Sequence, residues 1–398
     1  SCSSLVQITI PSSVTEIGVG SFYDCSSLSE ITIPSSVTKI GEKAFANCSS
    51  LNEITIPSSV IKIGKNAFEK CSLLKRIKIP ASIQEINEGT FCGCDSLTEI
   101  IIPSSVTIIG KSAFKKCSSL EQISIPNSVV MIGDSSFWEC TSLSKIAIPN
   151  SVTKLGENVF TDCYALYQFI IPHSISRISS GLFCECSSLT EIEIPSSITE
   201  ICNFAFYNCP LSKVTIPNSV TKIGSGAFSK CKKLSQIFLP SSLKEIEEGA
   251  FSNCFSLAQI DIPSSITKIS AEMFKKCTIL KKVTIPSFVT EIGDSAFKKC
   301  SELIEITIPS SVTRIGKSAF SCCSKLTEIT IPSSVTKIED DAFNECSMLN
   351  EIEIPSSVTE FGRSLFCDCS SLTEISIPSS VTEIVGTFSS CSSLTKIK

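Results

Sequence analysis

Apolar and polar positions recur along this chain with a period of 23 residues. In one copy Leu28, Ile31 and Ile33 are apolar, while Glu30 and Thr32 are polar. Alternation with period two predicts a short strand whose isoleucines face inward and whose polar residues face solvent.

The rest of each copy predicts turns and a second extended stretch. A proline at position 34 lacks an N–H and has a fixed φ, so it ends ladder pairing and starts a turn. Val37 and Ile40 bracket a second short extended stretch, and Gly41 suits a sharp turn. Residues 44–48 then predict one helical or 3₁₀ turn, in which Phe45 fills the interior.

The copies follow one another without a linker. Prolines recur every 23 residues from Pro11 to Pro195 and again from Pro217 to Pro378, in about seventeen copies of the unit. So short a unit cannot bury its own apolar face, and it becomes stable only by stacking on its neighbours. We therefore predict a leucine-rich-repeat solenoid over residues 1–398, a single domain coiled right-handedly around parallel sheets.

Two features modify this regular pattern. The copies at residues 209–211 and 381–388 are each one residue short, which predicts local kinks. The sequence also begins and ends in the middle of a copy, so we expect a fragment whose terminal caps lie outside it.

The repeat resembles the BspA-like, or Treponema-type, leucine-rich repeats. Three stretches of one copy carry the resemblance: Leu51 to Pro57, Val60 to Gly64, and Ala67 to Cys71. The resemblance implies a non-enzymatic protein-interaction module, because members in bacteria and parasitic protists are commonly surface proteins linked to adhesion. It implies a cell-surface or extracellular location and a protein or glycan ligand of a host or matrix. The recurring hexapeptide IPSSVT resembles the repeats of the protist branch of the family.

Charge and hydropathy exclude some partners. The chain has 34 basic and 39 acidic residues and a net charge of −5, which gives no general attraction to nucleic acid. No apolar run reaches the roughly 20 residues that a membrane span requires. The many cysteines keep an alternative open, in which the protein is an intracellular scaffold docked on a cytoskeletal or other large assembly.

The chain offers little for catalysis or for cofactor and metal binding. Eighteen of the 23 cysteines occupy one column of the repeat, which predicts buried thiols that donate weakly to carbonyls rather than disulfides or metal ligands. His173, the one histidine, follows Pro172 in a turn, and the recurring glutamates form a solvated strand face. We expect no catalytic residue, no metal and no cofactor.

Departures from the outward-facing pattern are the candidate binding residues. Ile101, Ile170 and Phe238 are apolar in a column that in most copies holds threonine, serine or charge, and Tyr167 and Gln168 precede Ile170. Exposed apolar and aromatic residues are typical of interfaces. A second hypothesis is a basic patch for anionic ligands on two adjacent copies, formed by Lys275, Lys276, Lys281, Lys282, Lys298 and Lys299.

Overall fold

The computed structural model describes residues 2–398 and forms two compact units, an N-terminal unit that ends at Ser197 and a C-terminal unit from Ile198 to Lys398. Each unit is a β-solenoid in which equivalent strands of successive repeats pair in parallel. Gln7, for example, lies opposite Glu30, and Gln259 lies opposite Lys282. The predicted leucine-rich-repeat solenoid is therefore confirmed within each unit.

Most repeats contribute a first strand of three residues and a second strand of two. In the N-terminal unit the first strands are β1 Gln7–Thr9, β3 Glu30–Thr32, β5 Glu53–Thr55, β7 Arg76–Lys78, β9 Glu99–Ile101, β11 Gln122–Ser124, β13 Lys145–Ala147 and β15 Gln168–Phe169. The second strands are β2 Glu16–Ile17, β4 Lys39–Ile40, β6 Lys62–Ile63, β8 Glu85–Ile86, β10 Ile108–Ile109, β12 Met131–Ile132, β14 Lys154–Leu155 and β16 Arg177–Ile178. The first strands pair in the orders β1-β3 and β5-β7-β9-β11-β13-β15, and the second strands in the orders β2-β4-β6 and β8-β10-β12-β14.

The C-terminal unit repeats this arrangement. Its first strands are β18 Lys213–Thr215, β20 Gln236–Phe238, β22 Gln259–Asp261, β24 Lys282–Thr284, β26 Glu305–Thr307, β28 Glu328–Thr330, β30 Glu351–Glu353, β32 Glu374–Ile375 and β33 Lys396–Ile397. Its second strands are β17 Glu200–Ile201, β19 Lys222–Ile223, β21 Glu245–Ile246, β23 Lys268–Ile269, β25 Glu291–Ile292, β27 Arg314–Ile315, β29 Lys337–Ile338 and β31 Glu360–Phe361. Pairing follows β18-β20, β22-β24-β26-β28-β30 and β32-β33 for the first strands, and β17-β19-β21 and β23-β25-β27-β29-β31 for the second.

The interior of each unit is a continuous stack of identical side chains. Phe45 is fully buried, and its ring lies 5.3 Å from that of Phe22 and 5.4 Å from that of Phe68, nearly parallel to both. In β3, Ile31 is buried while Glu30 and Thr32 are exposed. The predicted inward and outward assignments are therefore confirmed.

The turn around each phenylalanine is not the predicted helical or 3₁₀ turn. Lys43 and Asn47 have φ values of 52° and 63°, and left-handed residues at these two positions interrupt any right-handed helix. Successive backbone N–H groups of the turn consequently donate in alternation to the next repeat and to a carbonyl within the same turn. The Phe45 N–H donates to the Ala67 carbonyl of the next repeat at 2.8 Å, whereas the Ala46 N–H donates to the Lys43 carbonyl at 3.1 Å. The turn is thus a third ladder between repeats.

Glycine at position 41 serves close packing. Its φ lies outside the left-handed region, but a Cβ there would lie 2.6 Å from the carbonyl carbon of Gly18 in the preceding repeat. Glycine is therefore needed at position 41 because the backbones of two successive repeats approach closely there, and not because the turn requires a positive φ. Where Asn87 replaces this glycine, its side-chain amide donates to the Ile63 carbonyl at 2.7 Å.

Both short copies coincide with missing strands. The pattern predicts a strand at residues 191–193, and none forms there. None forms at residues 381–384 either. The spacings from Pro195 to Pro217 and from Phe366 to Phe388 are each one residue short. The shorter spacing does not itself prevent pairing, because Ile201 lies opposite Ile223 and Ile375 lies opposite Ile397.

Candidate binding surface

An exposed aliphatic stripe runs across four repeats of the N-terminal unit. Register pairing places Ile101 opposite Ser124, and Ser124 opposite Ala147. Ile170 continues the column, because Lys145 and Ile146 pair with Gln168 and Phe169 directly before it. Ile101 is 68% exposed and Ile170 is 74% exposed. The outward column, which is threonine in β3 and β5, is therefore Ile101, Ser124, Ala147 and Ile170 here, with three aliphatic residues of four.

A polar column lies beside this stripe on the same sheet face. Gln122, Lys145 and Gln168 are exposed and lie opposite one another in consecutive strands. Within residues 2–398, Lys145 forms no ion pair. The stripe and the column line an open groove of about 650 Å³ that also includes Glu99. The arrangement offers apolar contact beside hydrogen-bonding amides and one cation.

Three of the five predicted binding residues line this groove. Ile101, Gln168 and Ile170 belong to it, and Tyr167, 50% exposed, directly precedes Gln168. Phe238 lies in the C-terminal unit, where its ring is 5.3 Å from the Nζ atom of Lys213. Three of the five predicted binding residues therefore lie together in the groove. Their role in binding stays a prediction.

The six lysines of the predicted basic patch divide between a strand region and two turns. Lys282 is the first residue of β24 and Lys281 directly precedes it, while Lys275, Lys276, Lys298 and Lys299 lie in the turns after two phenylalanines. Glu305 pairs with Lys282 at 3.0 Å, and Glu272 pairs with Lys275 at 2.7 Å. Partial neutralisation weakens the attraction of this surface for anions, and its binding role also stays a prediction.

Comparison with known proteins identifies the family. The sequence profile described as "BspA type Leucine rich repeat region (6 copies)" matches residues 1–121, 107–231, 199–326 and 313–398, which together span the chain. The chain belongs to this BspA-type family. The predicted resemblance is confirmed, and the family is a protein-interaction scaffold type.

One solved structure agrees with the BspA-type fold, and two further matches are less similar in structure. A leucine-rich repeat protein from Bacteroides ovatus is 28% identical, with a TM-score of 0.69 over 94% of this chain and 88% of that chain. A leucine rich cell surface protein from Faecalibacterium prausnitzii is 27% identical, with a TM-score of 0.46 over 99% of this chain and 87% of that chain. The leucine-rich repeat protein of Treponema pallidum is 32% identical, with a TM-score of 0.36 over 46% of this chain and 75% of that chain. No curated protein matches the chain.

The cysteine column of the BspA-type repeat is a ladder of buried thiols. The Sγ of Cys71 donates to the Phe45 carbonyl at 3.2 Å, and the Sγ of Cys300 donates to the Phe274 carbonyl at 3.2 Å. Burial raises the pKa of Cys277 to about 12. The predicted thiol-to-carbonyl contacts are confirmed, and a thiol in this environment is protonated and unreactive.

The remaining candidates for chemistry are surface groups. Burial raises the pKa of the half-exposed Cys92 thiol, and burial followed by the Asp368 hydrogen bond raises the pKa of Cys367. His173 is exposed, and its backbone N–H donates to the side chain of Asn150 at 3.2 Å. Residues 2–398 contain no cluster of His, Cys, Asp and Glu side chains able to hold a metal ion, and no helix that could cross a membrane.

One surface departure was missed by the sequence analysis. Phe288, 67% exposed, occupies a position that is serine in every other repeat. The serine hydroxyl forms a hydrogen bond to the preceding repeat. Ser36 Oγ donates to the Val14 carbonyl and Ser334 Oγ donates to the Val312 carbonyl, each at 2.6 Å. Phenylalanine cannot donate this bond. The signal was present in the sequence as the single break in an otherwise invariant column.

Proposed function

We propose that this BspA-type chain is a non-enzymatic recognition module that contacts its partner through the groove of residues 99–170. The observation that carries the proposal is the stripe of Ile101, Ala147 and Ile170, exposed aliphatic residues in a column whose fourth member is Ser124 and where other repeats carry threonine. Burying each isoleucine against a partner contributes about 1.5–3 kcal/mol. The stripe is therefore available for binding without being required for folding.

The role that we assign to this surface is adhesion at the cell surface, with a protein of a host or matrix as the partner. Family membership supports an interaction role, and the exposed stripe supports contact with another macromolecule. The proposal includes no role for Cys92 and Cys367 as nucleophiles, because burial raises the pKa of both thiols above its ordinary value.

The test combines Ile101→Thr with Ile170→Thr, which restores the residue that β3 and β5 carry in this column. Beads coated with the wild-type chain are expected to adhere to matrix proteins or cultured epithelial cells, and beads coated with the double variant are expected not to. The melting temperature should change by less than about 2 °C, because both positions are exposed. Equal adhesion of the two bead preparations would contradict the proposed site.

A second candidate function is an intracellular scaffold on a large assembly. Half-exposed thiols at Cys92, Cys322 and Cys367 favour it, because such thiols persist unmodified in a reducing compartment. Antibodies against this chain distinguish the two candidates. Labelling of intact, unpermeabilised cells supports adhesion, whereas labelling only after permeabilisation supports the scaffold.

A further inference from the structure

Lys145 has two uncharged neighbours in register, unlike Arg76 of the same sheet. In the same sheet, Arg76 lies in register between Glu53 and Glu99. Lys145 instead lies between Gln122 and Gln168, both uncharged. The lysine is exposed and, among the described residues, has no ion-pair partner. Its charge is therefore unneutralised.

The unpaired charge stands next to the aliphatic stripe. Lys145 and Ala147 belong to the same strand and face the same side, since side chains two residues apart share a face. An occupant that covers Ala147 would also exclude water around the Lys145 ammonium, which strengthens any ion pair formed there. The flanking glutamine amides can both donate to and accept from a peptide backbone. The groove therefore combines apolar contact, amide hydrogen bonding and a requirement for one negative charge.

We propose that the groove binds an extended segment of a partner protein in which an acidic side chain stands between two aliphatic ones. This rests on the proposed function and specifies its partner. Ile101 and Ile170 are three repeats apart, or about 14 Å at the usual strand spacing, which an extended peptide covers in about four residues. The aliphatic side chains would contact Ile101 and Ile170, and the carboxylate between them would pair with Lys145.

A peptide fits this surface better than a glycan does. A sulfated glycan needs several cations together, and the two neighbours of Lys145 in register are neutral glutamines. Neutral sugars stack on aromatic rings, whereas the exposed apolar residues of the stripe are aliphatic and the exposed Tyr167 ring lies beside the groove, outside its lining. An aliphatic surface with a single cation is complementary to a peptide that carries apolar side chains and one acidic side chain.

The experiment uses the full chain and three labelled peptides that share the central sequence leucine, serine, X, serine, leucine, where X is aspartate, asparagine or lysine. Fluorescence anisotropy should show binding of the aspartate peptide about tenfold tighter than that of the asparagine peptide. Lys145→Gln should remove this preference, and Lys145→Glu should transfer it to the lysine peptide. Lys154→Gln is the matched control, since it removes an exposed lysine from the second strand of the same repeat and should leave the preference unchanged.

The outcomes separate this inference from the proposed function. If Ile101→Thr with Ile170→Thr leaves peptide binding intact, the groove is not the binding site and both proposals fail. If that variant abolishes binding while Lys145→Gln keeps the preference for aspartate, only the role of Lys145 fails. Failure of the wild-type chain to bind any of the three peptides, or Lys145-dependent binding of heparin in their place, would overturn the peptide assignment.

Discussion

The sheet faces of residues 99–170 and 282–330 show how one backbone carries two different surfaces. In the first, the outward column contains Ile101, Ala147 and Ile170; in the second it contains Thr284, Thr307 and Thr330. Beneath both faces the repeated phenylalanines stack in the same way. The Phe114 ring lies 5.5 and 5.4 Å from its two neighbours, and the Phe297 ring also lies 5.5 and 5.4 Å from its own. The fold constrains the interior and leaves the outward column free.

The largest expected effect tests the equality of the two interiors. Phe114→Ala and Phe297→Ala each remove a fully buried ring and should each lower the free energy of unfolding by about 3–5 kcal/mol. Hydrogen exchange, followed separately in the two units, should show similar loss of protection around each substituted repeat. A clearly larger loss at one site would show that the two interiors differ in stability. The two surfaces could then no longer be compared as variants of one scaffold.

A smaller effect is expected from the charged network of the C-terminal unit. Arg314 donates to both carboxylate oxygens of Glu339 at 3.0 and 2.8 Å, and to Asp294 at 2.8 Å, and these contacts join three repeats. Arg314→Gln should therefore lower the free energy of unfolding by about 1–3 kcal/mol in urea titrations.

The matched control for the Arg314 variant is Arg76→Gln in the N-terminal unit. Arg76 is exposed and forms no ion pair within residues 2–398, so its replacement should change the free energy of unfolding by less than about 0.5 kcal/mol. Equal effects of the two substitutions would mean that the Arg314 network contributes no more than an ordinary surface charge.

The next effect concerns Phe288, which interrupts the serine ladder. Phe288→Ser should increase the free energy of unfolding by about 0.5–1.5 kcal/mol, because it restores the hydroxyl-to-carbonyl bond that other repeats make. Differential scanning calorimetry measures the change, and Ser311→Phe, which introduces the same interruption one repeat later, should have the opposite sign. A destabilised Phe288→Ser protein would show that the ring is held by contacts that stabilise the fold.

The sequence predicts the buried and exposed positions, because these follow from the 23-residue period. The phenylalanines, the inward isoleucines and the buried cysteines followed from the repeat, and so did the alignment of Ile101 with Ile170. The turn conformation did not, because its left-handed positions include Lys43, Glu139 and Phe204, which have no intrinsic preference for a positive φ. The significance of Lys145 was also hidden, since it arises from the neutrality of its neighbours across the sheet.

The smallest effect tests whether the outward column is neutral for folding. Thr284→Ile combined with Thr307→Ile places adjacent isoleucines on the second face, and the free energy of unfolding should change by less than about 0.5 kcal/mol, because both residue types are β-branched and the sites are exposed. Binding of a fluorescent hydrophobic dye should nevertheless increase. Thr284→Ser with Thr307→Ser controls for loss of the threonine methyl groups. A marked loss of stability in the isoleucine variant would mean that this column contributes to folding, and an isoleucine at position 101 would then need a structural explanation before a functional one.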